Sequence, residues 1–329
     1  MTDGPKSPGN CPHDALPPPS DRAHRRGKPT AFVHVDLDNL WALADCYGFD
    51  IAPGEENFLY SETLPRLRAL LDQIGVPATF FVLGRDATDP DNKRQLAALG
   101  SAGHALANHS YSHALNFRHL DETATEQEVA RAEELIAQIT GKRPAGFRAP
   151  GYGRSPALLS VLVRRGYHYD SSLMPSPFGP VLRLLDWRLR RHTPRGRTIR
   201  KTQFPLIADT LHPRAPHRVC VPGGGSLVEI PAAVSPLLRL PFQASVCMAL
   251  GRTYFEIHLA ASVARRTPFI FLIHLADIAE FRALDHPFFR SNAFFGGSGA
   301  SKAATLRLYL ERLASTCRVV LTEDWLSES

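Results

Sequence analysis

Long apolar runs are missing from this sequence of 329 residues. No window approaches the roughly 20 uninterrupted apolar residues of a membrane-spanning helix, which excludes a helical anchor within it. No apolar h-region opens it either. Residues 1–30 are Pro-rich and polar, and read as a disordered leader rather than a secretory signal. Cysteine is sparse: Cys11, Cys46, Cys220, Cys247 and Cys317 are odd in number, widely spaced and without a C-x-x-C. That excludes a disulfide framework and a thiolate zinc site, and the expected setting is reducing and cytoplasmic. Charge of one sign is not dominant, with 38 Lys+Arg against 32 Asp+Glu. No recognised nucleic-acid module accompanies it, so nucleic acid is not an expected partner. With 44% apolar and 21% charged residues, the composition is that of a globular protein.

Beyond the leader, short apolar runs alternate with helical patterns. Strands are expected at 31–35, 78–83, 104–107, 145–148, 167–170, 227–230, 269–273 and 318–321. Helices are expected at 64–74, 93–99, 121–139, 155–165, around 247–263 and at 303–314. The rhythm breaks at about 174–225, where Pro and Arg are dense, so residues 31–329 read as one domain with an insertion there. Alternating βα units imply a parallel sheet. Seven or eight of them, without a Gly-rich dinucleotide fingerprint, favour an α/β fold of the distorted (β/α) barrel kind over a Rossmann sheet.

In such barrels the chemistry sits at the C-terminal ends of strands. The first strand ends in Asp36-Leu37-Asp38, two carboxylates that share one face of an extended chain. They are either cap or loop aspartates, or acids separated by a cation or shared proton. The third runs into His109-Ser110-Tyr111-Ser112-His113, two imidazoles expected on one side of a helical turn, with Asp38 as a third, oxygen ligand. With 14 His in the chain, such a pair can also arise by chance. The fourth ends in Arg148-Ala149-Pro150-Gly151-Tyr152, where the Arg can brace a carboxylate and the loop can present backbone N–H groups. The fifth ends at Asp170 and the seventh at His274, a turn cap and a core histidine unless they are functional. Five such signals at five strand ends outweigh their separate bland explanations.

In order and spacing, these motifs resemble the polysaccharide deacetylase family, the NodB-homology domain of carbohydrate esterases. Asp36 and Asp38 match its first motif, His109 to His113 its second, Arg148 to Gly151 its third, and Asp170 in Y-D-S-S and His274 its fourth and fifth. The resemblance covers about residues 31 to 326. It implies one divalent metal held by Asp38, His109 and His113, usually Zn2+, with Co2+, Ni2+, Mn2+ or Fe2+ as alternatives. It implies Asp36 as general base braced by Arg148, an oxyanion site at the N–H of Gly151 or Tyr152, and His274 as general acid oriented by Asp170. The implied reaction removes N-acetyl or N-formyl from an amino sugar of a glycan or lipid-linked saccharide. A small-amide hydrolase of the allantoinase kind and a non-catalytic carbohydrate- or lipid-binding barrel are the alternatives.

One stretch is not absorbed by this pattern. Between Arg183 and Lys201 there are eight Lys+Arg and one acid, Asp186, with Leu and Trp interleaved. It is either the solvated face of a packed insertion or a peripheral contact with anionic lipid on the inner face of the membrane.

Overall fold

A computed structural model describes residues 27–198, 204–221, 223–290 and 295–328. Most of the leader, Cys11, and Arg200 and Lys201 of the basic stretch lie outside the described residues. The strands are β1 (Thr30–Asp36), β2 (Thr79–Val82), β3 (Ala105–Asn108), β4 (Gly146–Phe147), β5 (Tyr169–Asp170), β6 (His217–Cys220), β7 (Ser226–Glu229), β8 (Phe269–His274) and β9 (Arg318–Val319). The helices are α1 (Leu40–Tyr47), α2 (Leu64–Ile74), α3 (Pro90–Ser101), α4 (Glu122–Thr140), α5 (Pro156–Arg164), α6 (Gly179–Arg190), α7 (Ala244–Leu250), α8 (Arg252–Arg265), α9 (Pro287–Arg290), α10 (Gly299–Thr316) and α11 (Thr322–Glu328).

The strand order is β6-β7-β5-β4-β3-β2-β1-β8, with β9 also on β1. Every pairing is parallel except β6 with β7. All seven residues of β1 are buried, as a parallel strand covered on both faces requires. Its register sets Asp36 opposite Phe81 of β2 and opposite His274 of β8.

The sheet curls into a distorted half-barrel. Tyr169 of β5 and Val228 of β7 share a cluster with Phe32 of β1 and Ile270 of β8, although three strands separate β5 from β1 in the ladder. Trp325 of α11 closes this interior, its ring edge-on to Phe32 at 5.5 Å. Phe32, His34 and Asp36 share the inward face of β1 by the two-residue period of a strand. The larger apolar layer lies between the sheet and helices α2, α3, α8 and α10.

Side-chain caps fix where the helices begin. Asp121 accepts from Ala124 N–H ahead of α4, and Ser155 from Leu158 N–H ahead of α5. The helical stretch expected around 247–263 is two helices, because Gly251 breaks it with φ 85. Five elements escape the sequence pattern: α1, α6, β6, α9 and α11.

Candidate active site

The first carboxylate is held from below. Arg148, at the end of β4 and almost wholly buried, donates from Nη1 to Asp36 Oδ1 at 2.6 Å. Its Nη2 donates to His34 Nδ1 at 2.7 Å and Ser171 Oγ at 2.8 Å, and its Nε to the Ser171 carbonyl at 3.0 Å. A guanidinium only donates, so His34 Nδ1 accepts and its Nε2–H points to Thr322 Oγ1, 2.8 Å away. Burial, then Arg148, holds the His34 imidazole well below its ordinary value, which agrees with a neutral ring. Thr322, His34, Arg148 and Asp36 therefore form one chain of hydrogen bonds through the barrel interior.

The second carboxylate faces two imidazoles. Asp38 Oδ1 lies 3.5 Å from His109 Nε2 and 3.4 Å from His113 Nε2, and the three ligand atoms all lie within 4.8 Å of one another. A tetrahedral ion with bonds of about 2.0–2.1 Å spaces its ligands about 3.3 Å apart, so the donor set fits such an ion. Among the described residues Asp38 Oδ1 is buried without a hydrogen bond, the condition expected of an atom that awaits a cation. His109 Nδ1 lies 2.7 Å from the Arg148 carbonyl, which only accepts. Nδ1 thus carries the proton and Nε2 presents its lone pair, as a ligating histidine needs. Burial would raise the Asp38 carboxyl, but His113 and His109 outweigh it and hold it well below the usual range. Burial would lower both imidazoles, but Asp38 chiefly raises them.

The His109–His113 segment is not the helical turn its spacing suggested. Ser110 and His113 have left-handed backbones, with φ 71 and 52. Side chains satisfy the amides that a helix would bond internally. Asn108 accepts from Ser110 N–H at 2.8 Å, and Glu128 of α4 accepts from Tyr111 N–H and Ser112 N–H at 3.1 and 2.9 Å. Asn108 and Glu128 are thus residues the sequence reading missed. Their signal was an Asn before the motif and a Glu one helix later, neither distinctive alone.

His274 Nε2 lies 3.7 Å from Asp36 Oδ2, and the side chain is 27% exposed, enough to meet a substrate. Asp170 does not orient it, which corrects the expectation. Among the described residues Asp170 meets Ser172, Arg154 and Glu229, and no hydrogen bond or ion pair joins it to His274. Asp277 stands there instead, with Oδ2 3.9 Å from His274 Nδ1 and accepting His274 N–H at 2.9 Å. Asp170 accepts from Ser172 Oγ, whose oxygen accepts Ala149 N–H at 2.8 Å. It lies in register with Glu229 of β7, and Arg154 Nε is 3.3 Å from Glu229 Oε2. Burial pushes both carboxyls up, and the Asp170 charge raises Glu229 further while Arg154 opposes it.

The 149–153 loop turns sharply, with φ 56 at Gly151 and 60 at Tyr152. The Tyr152 amide is committed to the Ala149 carbonyl at 3.2 Å. Its hydroxyl, by contrast, is buried without a hydrogen bond among the described residues. Burial first of all raises its pKa, with Arg148 opposing and Asp36, Asp38 and Asp277 adding to the rise. Gly151 carries the sharp turn and its carbonyl accepts Phe204 N–H at 2.7 Å.

A family profile described as Polysaccharide deacetylase matches residues 47–169, a span that holds His109, His113 and Arg148. The peptidoglycan deacetylase of Helicobacter pylori (strain ATCC 700392 / 26695) is 31% identical over 151 residues, 44% of this chain and 50% of that protein. The match thus spans about half of that relative's length. Among solved structures, a polysaccharide deacetylase described as putative, from Mycobacterium smegmatis, superposes with TM-score 0.60 at 20% identity, over 95% of this chain and 94% of that one. Puue allantoinase superposes with TM-score 0.59 at 16% identity, over 99% and 97% of the two chains. At these identities both likenesses are of fold.

Proposed function

We propose, since this chain belongs to the polysaccharide deacetylase (NodB-homology) family, that it is a metal-dependent hydrolase removing an N-acetyl or N-formyl group from an amino sugar of a glycan or lipid-linked saccharide. The observation that supports this reading is the meeting of two groups at neighbouring strand ends. One is the Asp38, His109 and His113 cluster; the other is the Asp36–His274 pair, 3.7 Å apart.

Asp38, His109 and His113 would hold the cation, for which the nitrogen and oxygen donors suit zinc. Bound there, it would supply Lewis acidity toward the acyl carbonyl. Asp36 has Oδ1 committed to Arg148, which leaves Oδ2 to take the proton of the attacking water. Arg148 fixes that carboxylate in one rotamer. His274, close to Oδ2 and partly open to solvent, delivers a proton to the departing amine nitrogen. Asp277, beside Nδ1, orients the ring for that transfer. The products are a free amino sugar and a small carboxylate.

Mass spectrometry tests this on metal-loaded protein incubated with chitin oligomers, peptidoglycan fragments and lipid-linked amino sugars. Loss of one acyl group from a sugar, abolished in Asp36→Asn and in His274→Ala, is the expected result. Turnover of a small ureide with every sugar left intact would overturn the proposal.

A further inference from the structure

The helix α6 is apolar on both sides. Its protein-facing side carries the half-buried Leu182 and Leu189 with Asp186, which is buried and tied to Arg190 Nε at 2.9 Å. Its outer side carries Leu184, Leu185 and Trp187, which are 54%, 52% and 46% exposed, with Arg183 and Arg188 among them. An ordinary surface helix is polar on its outer side. Neither Arg183 nor Arg188 has a carboxylate partner among the described residues.

Two neighbouring segments continue this face. Gly179, at the start of α6, packs so closely on the Pro205 carbonyl that a Cβ would not fit. The following turn exposes Leu211 by 89%. Arg239 Nη1 then donates to the carbonyls of both His212 and Pro175, at 3.2 and 3.3 Å, and so brings in a loop whose tip, Leu237 and Leu238, is 93% and 65% exposed. Arg214 is bound to the same loop through the Ser235 and Pro236 carbonyls. Burial, then Arg214, lowers Arg239, and burial, then Arg214 and Arg239, lowers Arg265; none of the three has a carboxylate partner among the described residues.

This surface adjoins the catalytic mouth. Phe204 N–H bonds to the Gly151 carbonyl, and Arg118 donates from Nη2 to the Tyr152 carbonyl at 2.8 Å and the Phe204 carbonyl at 3.4 Å. We propose that α6 and the loops around Leu211 and Leu237 form a face that seats on an anionic lipid surface, with the active-site mouth turned toward the bilayer. Apolar side chains standing out between cations, with the acids Asp186 and Asp209 taken up by Arg190 and Arg118, match the two layers of such a surface, acyl chains and phosphate headgroups. A protein partner or a second copy would need acids to match these arginines. Among the described residues no helix is long and apolar enough to cross a membrane, so the contact is peripheral. It deepens the reading of a lipid-linked substrate, but the face exists independently of the chemistry.

The test is co-sedimentation of the full chain with vesicles of phosphatidylcholine, with and without phosphatidylglycerol. Trp187 is a built-in reporter, because Trp41 and Trp325 are buried. Binding to anionic but not neutral vesicles, a blue shift of tryptophan emission lost in Trp187→Phe, and release at high salt are expected. Each arginine contributes about fivefold to binding, so Arg183→Glu/Arg188→Glu should weaken it by more than about tenfold. Leu184→Ser/Leu185→Ser should also weaken it, with the urea midpoint unchanged. Wild-type protein left in the supernatant at low salt, or variants that bind like wild type, would overturn the proposal. So would a concentration-dependent dimer that Leu184→Ser/Leu185→Ser abolishes without any vesicle binding. Since the assay needs neither metal nor turnover, its failure leaves the deacetylase test standing.

Discussion

Replacing Arg148 by Met tests whether the site is built around one buried ion pair. The guanidinium is 1% exposed and makes four hydrogen bonds, to Asp36, His34 and twice to Ser171. Methionine fills much of the same volume but leaves the Asp36 carboxylate, 4% exposed, without its cation. Breaking a buried pair in this way costs about 3–5 kcal/mol, chiefly the penalty of an uncompensated charge. Against a total stability of about 5–15 kcal/mol, that places the variant near the edge of folding. Asp36→Asn keeps an acceptor for Arg148 but strands its buried guanidinium without a counter-charge, so alone it should also cost about 3–5 kcal/mol. The double variant has no stranded charge and should be more stable than Arg148→Met by about 2 kcal/mol or more. Urea unfolding with a common slope measures all four corners of the cycle. Chelator belongs in the buffer, because a cation beside Asp38 would partly compensate Asp36. If Arg148→Met unfolds within about 1 kcal/mol of wild type, or the double variant gains nothing, the ion pair is not what organises this site.

Purified protein should hold about one divalent ion per chain, lost in Asp38→Ala and His109→Ala; elemental analysis of metal-free wild type would refute the assignment. Because Asp38 raises His109 and His113, and a cation must displace their protons, metal affinity should climb through and beyond about pH 6.5; a flat titration would contradict this. Asp36→Asn should keep the metal and lose about 10²–10⁴-fold in turnover; loss of metal there, with retention in Asp38→Asn, would exchange the two roles. Burial pushes the Asp86 carboxyl up to about 7, so the folded state keeps a proton that the unfolded chain releases near pH 3.9. That term falls away as pH rises from about 4 to about 7, and Asp86→Asn, which keeps the oxygen that Asn39 and Trp41 donate to, should gain roughly 3 kcal/mol on wild type over that range. Parallel stability curves would refute it. A Cβ on Gly146 would stand 2.0 Å from the Tyr169 ring, so Gly146→Ala should lose about 1–3 kcal/mol by urea unfolding, relieved by Tyr169→Leu; an unchanged midpoint would contradict the packing.

What could be read from the residues was what periodicity and strand ends encode. The helix at Leu64–Ile74 begins with Pro65 and ends at Gly75, and its bounds were legible to the residue. β1 and β8 were legible because buried parallel strands are continuous apolar runs. The short α1 was hidden because it starts right after the aspartates, on a cap at Asn39 that its neighbours obscured. The helix α6 was hidden because its apolar residues lie on both sides, Leu182 and Leu189 half-buried and Leu184, Leu185 and Trp187 exposed, which defeats a search for a single core-facing stripe. The convergence of Asp38, His109 and His113 could be expected from their strand ends, but their tautomers could not, since these depend on the Arg148 carbonyl. Asp277 was overlooked for Asp170 because pairing acids with histidines across a curled sheet needs the strand order, which one sequence does not print.

Asp36 and His274 are direct register partners on β1 and β8, so their meeting is written into a backbone ladder. His109 is also tied to the ladder, its N–H bonded to the Val82 carbonyl at 2.9 Å, whereas His113 follows a loop whose Ser110, Tyr111 and Ser112 amides rest on the side chains of Asn108 and Glu128. The third ligand therefore belongs to a lower level of local stability than the other groups of the site. Under mild heat or denaturant the loop should open before the central strands, so that the cation leaves an otherwise folded barrel. Thermal inactivation should then be reversible by cooling in the presence of metal, well below the temperature at which the sheet itself gives way. A clamp between Ser112 and Glu128 stronger than their present hydrogen bonds would raise that first threshold and leave the second where it is.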